Sequence, residues 1–315
     1  MANPWTLLQS FTTAGTYAWT APDINSGNPY QVGYYIIGGG GSGGAALTLD
    51  RSYDSLVLAA SGGASGRTAN GVLAVTPGTA YSVIVGGGGT ENTIRQSTQI
   101  FYAGGTPSLI PANGSRVNVS SGTRVANGSG SLPLPVRFSD GSPGESSSFN
   151  GIRASGGAGG NAAISAAAGS PGGQGSDASS PATIAAFPTA PYSGRQTAFA
   201  TDPYAAGGST YPLEAQNPFE PYTSFLIAGG AACILINLLR STLYAQSAGT
   251  ASYGSGSPGT AVNDNTNQIR TITGITPTAY GAGSGGVVVN GYARPSVRKT
   301  VITGAGASGG VFLYY

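Results

Sequence analysis

The sequence predicts an all-β protein, β-sandwich-like, in which glycine-rich segments form a packed, polyglycine-helix-like scaffold and at most one short helix intervenes. First, short alternating runs rich in β-branched and aromatic residues, bounded by Gly, Pro, Asn or Ser, fill the first half of the chain. Second, apolar runs pass straight into glycine at "YYIIGGGG" (34–41) and "YSVIVGGGG" (81–89), and "GAGASGG" precedes the terminal "VFLYY". Third, the 54 glycines of this 315-residue chain accompany 40% apolar and only 8% charged residues, a balance opposite to that of a disordered chain.

The strands are expected in "TYAWTAP" (16–22), "VGYYII" (32–37), "DSLVLAAS" (54–61), "GVLAVTPG" (71–78) and "YSVIV" (81–85). Pro77-Gly78 lies between two alternating runs, so "VTPGTAYSVIV" reads as a hairpin. Beyond it come a Gly/Ala/Ser-rich stretch (151–180), a Pro- and aromatic-rich segment (181–222) and an apolar segment (223–244). The one candidate helix lies around Ile234 to Tyr244. A second Gly/Ser/Asn stretch leads to strands in "GGVVVNGYA" and "GGVFLYY". The organisation expected is a glycine-rich β domain begun by residues 1–160, interrupted by 161–280 and completed by 281–315.

Glycine loses the most backbone entropy on ordering and contributes no side-chain burial, so ordered runs such as "ASGGAGGNAA" (154–163) need a compensating interaction. Extended helices of three residues per turn supply it by packing side by side and hydrogen-bonding laterally, because backbones without Cβ atoms approach closely. Slow amide exchange over Ser155 to Gly160 is the expected signature. Gly38, Gly40 and Gly43 also satisfy the dinucleotide pattern G-x-G-x-x-G, but the residues that follow do not alternate at helical spacing and the same device recurs, so no cofactor is expected. A collagen triple helix is excluded because no G-x-y period is sustained.

The absence of histidine excludes Ser-His-Asp and Cys-His catalysis and every His-ligated metal site. Cys233 is the single cysteine, which excludes intrachain disulfides and multi-cysteine zinc sites, and it reads as a small buried hydrophobe. Twelve arginines and one lysine against eleven acids leave a net charge of +2, too little for nucleic-acid binding by phosphate neutralisation. "RPSVRK" (294–299) reads as a solvated edge. "NDNTN" (263–267) has only Asp264 as a carboxylate and reads as a polar turn, so no metal is expected. No basic and apolar leader opens the sequence, and Phe225 to Leu239, interrupted by Asn237 and glycines, is too short to span a bilayer; a buried core segment and no membrane insertion are expected. Carboxylate pairs of glycosidase type survive as Asp140 with Glu145, or Glu214 with Glu220, although all four lie in turn-like or Pro-flanked surroundings and no catalytic residue is assigned.

Five motifs in order, "SFTTAGTYAWTAP", "VGYYIIGGGGSGG", "GVLAVTPGTAYSVIVGGGG", "GESSSFNGIRASGGAGG" and "GAGASGGVFLYY", resemble the glycine-rich domain of bacteriophage tail-fibre and related virion appendage proteins. The resemblance covers residues 10–160 and 281–315. It implies a non-enzymatic virion protein, made in the host cytoplasm, acting as a tail-fibre or tip component that attaches to the bacterial surface. A bacterial surface glycan or outer-surface protein would be its partner, together with other virion proteins and further copies of itself in a homotrimer. The T-even long-tail-fibre adhesins use a related idea, glycine helices that present variable binding loops. A capsid decoration or appendage subunit of purely structural role is the alternative, and a surface-glycan hydrolase is the second.

The stiffest aromatic surface in the sequence is Pro181 to Tyr222. Seven prolines restrain its backbone, while Tyr192, Tyr204, Tyr211, Phe219 and Tyr222 offer broad faces and Arg195 adds hydrogen-bond donors for a sugar or phosphate. These six residues are the receptor-binding candidates. The same rings would equally serve a local core or a contact with a neighbouring copy.

Overall fold

The computed structural model describes residues 5–48, 55–60, 62–97, 99–103, 106–110, 125–126, 136–160, 162–165, 213–216, 219, 224–227, 230, 233–238, 242–245, 257, 259–264, 268–291 and 298–315. Among them every regular element is a strand, as expected of an all-β chain. β1 (Leu7–Phe11), β2 (Gly15–Thr20) and β3 (Tyr30–Ile37) precede the first glycine segment, 38–44, and β4 (Ala45–Thr48) follows it. β5 (Ser55–Ala60) and β6 (Thr68–Val75) flank 62–67, and β7 (Ala80–Val85) and β8 (Thr93–Ser97) flank 86–89. After β9 (Gln99–Ala103), β10 (Thr106–Ile110) and β11 (Val125–Ala126), β12 (Val136–Ser139) and β13 (Ser147–Phe149) flank 140–145. β14 (Ile152–Ala154) and β15 (Ala162–Ser165) flank 155–160. Then come β16 (Leu213–Gln216), β17 (Ser224–Ile227), β18 (Cys233–Leu238), β19 (Thr242–Ala245), β20 (Thr260–Asp264) and β21 (Arg270–Thr273). β22 (Val287–Gly291) follows 281–286, and β23 (Arg298–Ile302) and β24 (Gly310–Tyr314) flank 303–309.

At one end, which we call proximal, two antiparallel sheets, β1-β24-β3-β6 and β14-β13-β7-β2, form a sandwich. Alternation along each strand directs Val32, Tyr34, Ile36, Val311 and Leu313 inward against Trp19, Val83, Val85 and Phe149, all buried. The other face of the first sheet is apolar too: Tyr35, Ile37, Phe312 and Tyr314 are covered by Phe219, Trp5 and Tyr280. At the opposite, distal end β12-β4-β22-β20 packs on β21-β23-β8 through Leu47, Ile94, Ile272, Val287, Val289 and Val301, beside a third sheet, β11-β15-β5-β18-β19.

Between the two ends lies the glycine bundle. Segment 38–44 runs through its centre, and its N–H groups turn to a new neighbour at each residue. Gly38 and Gly41 donate to Arg67 and Ala64 carbonyls, Gly39 and Ser42 to those of Glu145 and Ser142, and Gly40 to that of Ala307, at 2.8–2.9 Å. Its carbonyls accept with the same period: Gly39 and Ser42 from Gly157 and Gly160, Gly41 from Ser284, and Gly40 from Gly89. A repeat of three residues is that of the extended left-handed helix, and six described segments therefore surround the central one. The six close a ring by their own lateral bonds: 62–67 to 155–160, then to 140–145, 86–89, 304–309 and 281–286, and back to 62–67. Gly40 shows why glycine is required. A Cβ there would lie under 3.0 Å from the backbone of Ala282 and Gly281, closer than real Cβ contacts come.

The ring segments alternate in direction, and sheet register passes through the bundle without slipping. Ile37 faces Thr68 at the end of the β3–β6 ladder; one step on, Gly38 donates to Arg67, and three further, Gly41 donates to Ala64. The β12–β4 register likewise continues from Ser139 opposite Ala45 to the Ser42–Ser142 and Gly39–Glu145 bonds. At the distal end Val287 donates to Gly44, and β22 then pairs with β4 in parallel, in the same register. That parallel pairing follows from the bundle, since 38–44 and 281–286 are neighbours running the same way.

Two expectations need correction. The Pro77-Gly78 turn is present, with Gly78 at φ 75° and Thr79 donating to Thr76, but β6 joins the β3 sheet and β7 the β2 sheet, so the turn crosses the sandwich instead of closing a hairpin. Around Ile234 to Tyr244 there is no helix among the described residues. β18 and β19 pair antiparallel there, with Ile234 opposite Tyr244 and β18 also paired to β5, so ladder partners on both sides of β18 override local helix preference.

Candidate functional site

The two ends of the bundle differ in how the chain turns round. At the proximal end the connections are brief: 12–14, 21–29, 76–79 and 150–151. Two are pinned by hydrogen bonds: Gly27 donates to the Asp23 carboxylate at 2.8 Å within its turn, and Asn150 donates to the Ser82 carbonyl of the neighbouring strand at 2.8 Å. At the distal end the strands β4, β8, β15, β18 and β22 all point away from the glycine segments. A binding surface carried by loops needs anchor points that do not move, and this end supplies them.

Beneath those strand ends the distal interior contains an ion pair. Lys299, on β23, is fully buried, and its Nζ donates to Asp264 Oδ2 at 2.7 Å and to the Gln268 carbonyl at 3.0 Å. Asp264, on β20, is 1% exposed and also lies 3.7 Å from the half-exposed Arg270 guanidinium. The expectation of a solvated edge at 294–299 therefore does not hold for Lys299. The sign of its placement was in the sequence: Lys299 precedes Val301 by two residues on a strand, so the two share the inward face. Asp264 is correspondingly a strand residue committed to Lys299, not part of a polar turn.

Of the six receptor-binding candidates, Tyr192, Arg195, Tyr204, Tyr211 and Tyr222 lie outside the described residues. Phe219 is 5% exposed at the proximal end. Its ring stacks on Tyr314 at 5.2 Å and meets Trp5 edge-on at 5.0 Å. It sits where a Cβ on Gly33 would overlap it, so Gly33 forms its socket. This ring occupies the core position that the sequence left open as the alternative to receptor contact.

The carboxylates set aside as a catalytic pair stand in the bundle. Glu145 accepts from the Gly87 N–H at 3.1 Å through Oε2 while its own N–H donates to Gly87 O, which closes the ring between 140–145 and 86–89. The Asp140 carbonyl accepts from Asn92 Nδ2 at 2.7 Å. Glu214 lies on β16, and Glu220 is outside the described residues. Among the described residues no group of three or more His, Cys, Asp or Glu could hold a metal, and no helix is long and apolar enough to cross a membrane. The side chains of Phe225 to Leu239, expected to be buried, and of Cys233 lie outside those described.

A family model described as a glycine-rich domain matches residues 12–134. The match takes in the central segment and two of its six neighbours, 62–67 and 86–89; the other four come from farther along the chain. No curated protein matches the chain.

Proposed function

We propose that this chain is a bacteriophage virion protein, a tail-fibre or tip component that binds the bacterial surface and performs no chemistry on it. The observation that supports this reading is the set of strand ends, those of β4, β8, β15, β18 and β22, that point together away from the glycine bundle and could carry binding loops. A backbone-bonded array is stiff and leaves its loops free to vary in length, which suits recognition of a variable glycan or outer-surface protein. The aromatic segment 181–222, buried Phe219 apart, supplies the contact residues, and three copies assemble side by side as in phage fibres.

The test is adsorption to intact bacteria. Exchanging Tyr204 and Tyr211 together for alanine lowers adsorption more than about tenfold with thermal stability unchanged, since interface aromatics commonly carry about 2 kcal/mol or more. Undiminished adsorption ends the adhesin reading of this segment. The purely structural reading, an appendage or decoration subunit, draws on buried Phe219; it gains if the double variant loses its oligomeric state, and electron microscopy of the intact particle locates the protein directly. Shortened surface polysaccharide after incubation with the protein would instead establish the hydrolase.

A further inference from the structure

We infer that Lys299 and Asp264 become joined by an intramolecular isopeptide bond, formed by the protein itself between Nζ and Cγ with loss of one water. Lys299 is the only lysine, against twelve arginines, and it is fully buried. Arginine is the better partner for a buried carboxylate, because its planar fork bonds bidentately and is weakly hydrated. What lysine offers in its place is a compact primary amine, a nucleophile that can be acylated.

The surroundings favour the reaction. Lys299, Asp264 and Arg270 stand two residues from Val301, Val262 and Ile272, members or neighbours of the distal apolar cluster, and so share its face. Two ions buried in such a place each carry a desolvation penalty that their attraction offsets only in part. Condensation removes both charges. The proton passes from Nζ to Oδ2 along their 2.7 Å hydrogen bond, giving an amine and a carboxylic acid. The nitrogen lone pair then forms the Nζ–Cγ bond. The Cγ–Oδ2 bond breaks, and Oδ2 leaves as water with a second proton from the nitrogen. The Gln268 carbonyl, accepting from Nζ at 3.0 Å, orients the amine, and the Arg270 guanidinium stands 3.7 Å from Oδ2, on the side of the departing oxygen. No oxidant or further reactant is needed. Because β20 and β23 lie in different sheets, the bond would tie the two distal sheets together beneath the departing loops.

The experiment is the intact mass of the denatured full-length protein, followed by a tryptic map. The expected mass is one water below that of the sequence, with the tryptic peptide ending at Arg270 joined to the one beginning at Lys299. K299R keeps the charge pair but cannot form the bond, and D264A lacks the carboxylate; both should show their full sequence mass. A wild-type protein at full sequence mass overturns the inference, as does a water loss that persists in K299R or maps to other residues.

Discussion

The proximal sandwich and the glycine bundle solve the same problem in opposite ways. In the sandwich, ordering is compensated by side-chain volume: Trp19, Tyr34, Tyr81 and Phe149 meet at ring-centroid distances of 5.9–6.2 Å, and the energy follows the apolar area removed from water. In the bundle the buried side chains are small ones, such as Ser42, Ala64, Ala282 and Ser284, and the compensation is a set of directed backbone bonds from each segment to its neighbours. A side-chain core is forgiving, because its energy falls gradually with lost volume. A backbone lattice has no such gradation; a position either admits a Cβ or does not.

Gly40→Val breaks the comparison most sharply. Its new side chain collides with backbone that cannot rotate away, so a loss above about 4 kcal/mol is expected, seen as failure to fold or a collapse of the urea midpoint. Phe149→Ala, at a fully buried ring in the sandwich, should cost about 3–5 kcal/mol yet leave a folded protein. Within 155–160, amide exchange should be slowest at Gly157 and Gly160, which donate to the central segment, by about tenfold or more over Ala158; uniform rates along the segment would contradict the threefold repeat. Alkali probes the proximal end through Tyr35. Burial holds the Tyr35 hydroxyl well above the ordinary tyrosine range, so the unfolded chain loses its proton first. The contribution is complete below about pH 10 and declines by about 1.4 kcal/mol per unit as pH rises from there toward the folded value. Tyr35→Phe should flatten that limb of an alkaline unfolding curve. Smallest of all, Gly87→Ala should change stability by less than about 1 kcal/mol, because the nearest atom to an added Cβ lies 3.4 Å away on the flexible Glu145 side chain.

The strands were legible because period-two alternation is written locally: β2, β3, β5, β6 and β7 all fall within the runs that predict them or overlap them. The ordered packing of the glycine runs was legible as well, since strands immediately adjoin them. Which segment would neighbour which was not, because glycine carries no side chain to mark a partner, and the partners lie as far apart as Gly40 and Ala307. The same limit explains Pro77-Gly78, where the turn is local but the sheets that claim β6 and β7 are not. Lys299 was misread because two neighbouring arginines suggested an edge, although its spacing from Val301 marked the inward face; what stayed illegible was its partner, Asp264, 35 positions away. Of the binding candidates, Phe219 could not be distinguished from its companions until Gly33 was seen to make room for it.

The uninterrupted register gives the molecule something like a reading frame. Each glycine segment enters from one sheet and leaves into another, and its residues address their neighbours in strict rotation, Gly38 and Gly41 to one, Gly39 and Ser42 to a second, Gly40 to a third. Deleting a single residue from 38–44 would rotate every later donor by one place, so that each faces a segment offering nothing in that direction, and would offset β4 from β12 and β22 by one residue, exchanging the faces of that strand. The rule applies to the glycine segments and not to the connections between strands. Change of length is thus confined to the connections by the counting rule of the bundle, and a lineage of such proteins could vary its loops freely while its glycine segments keep their length residue for residue.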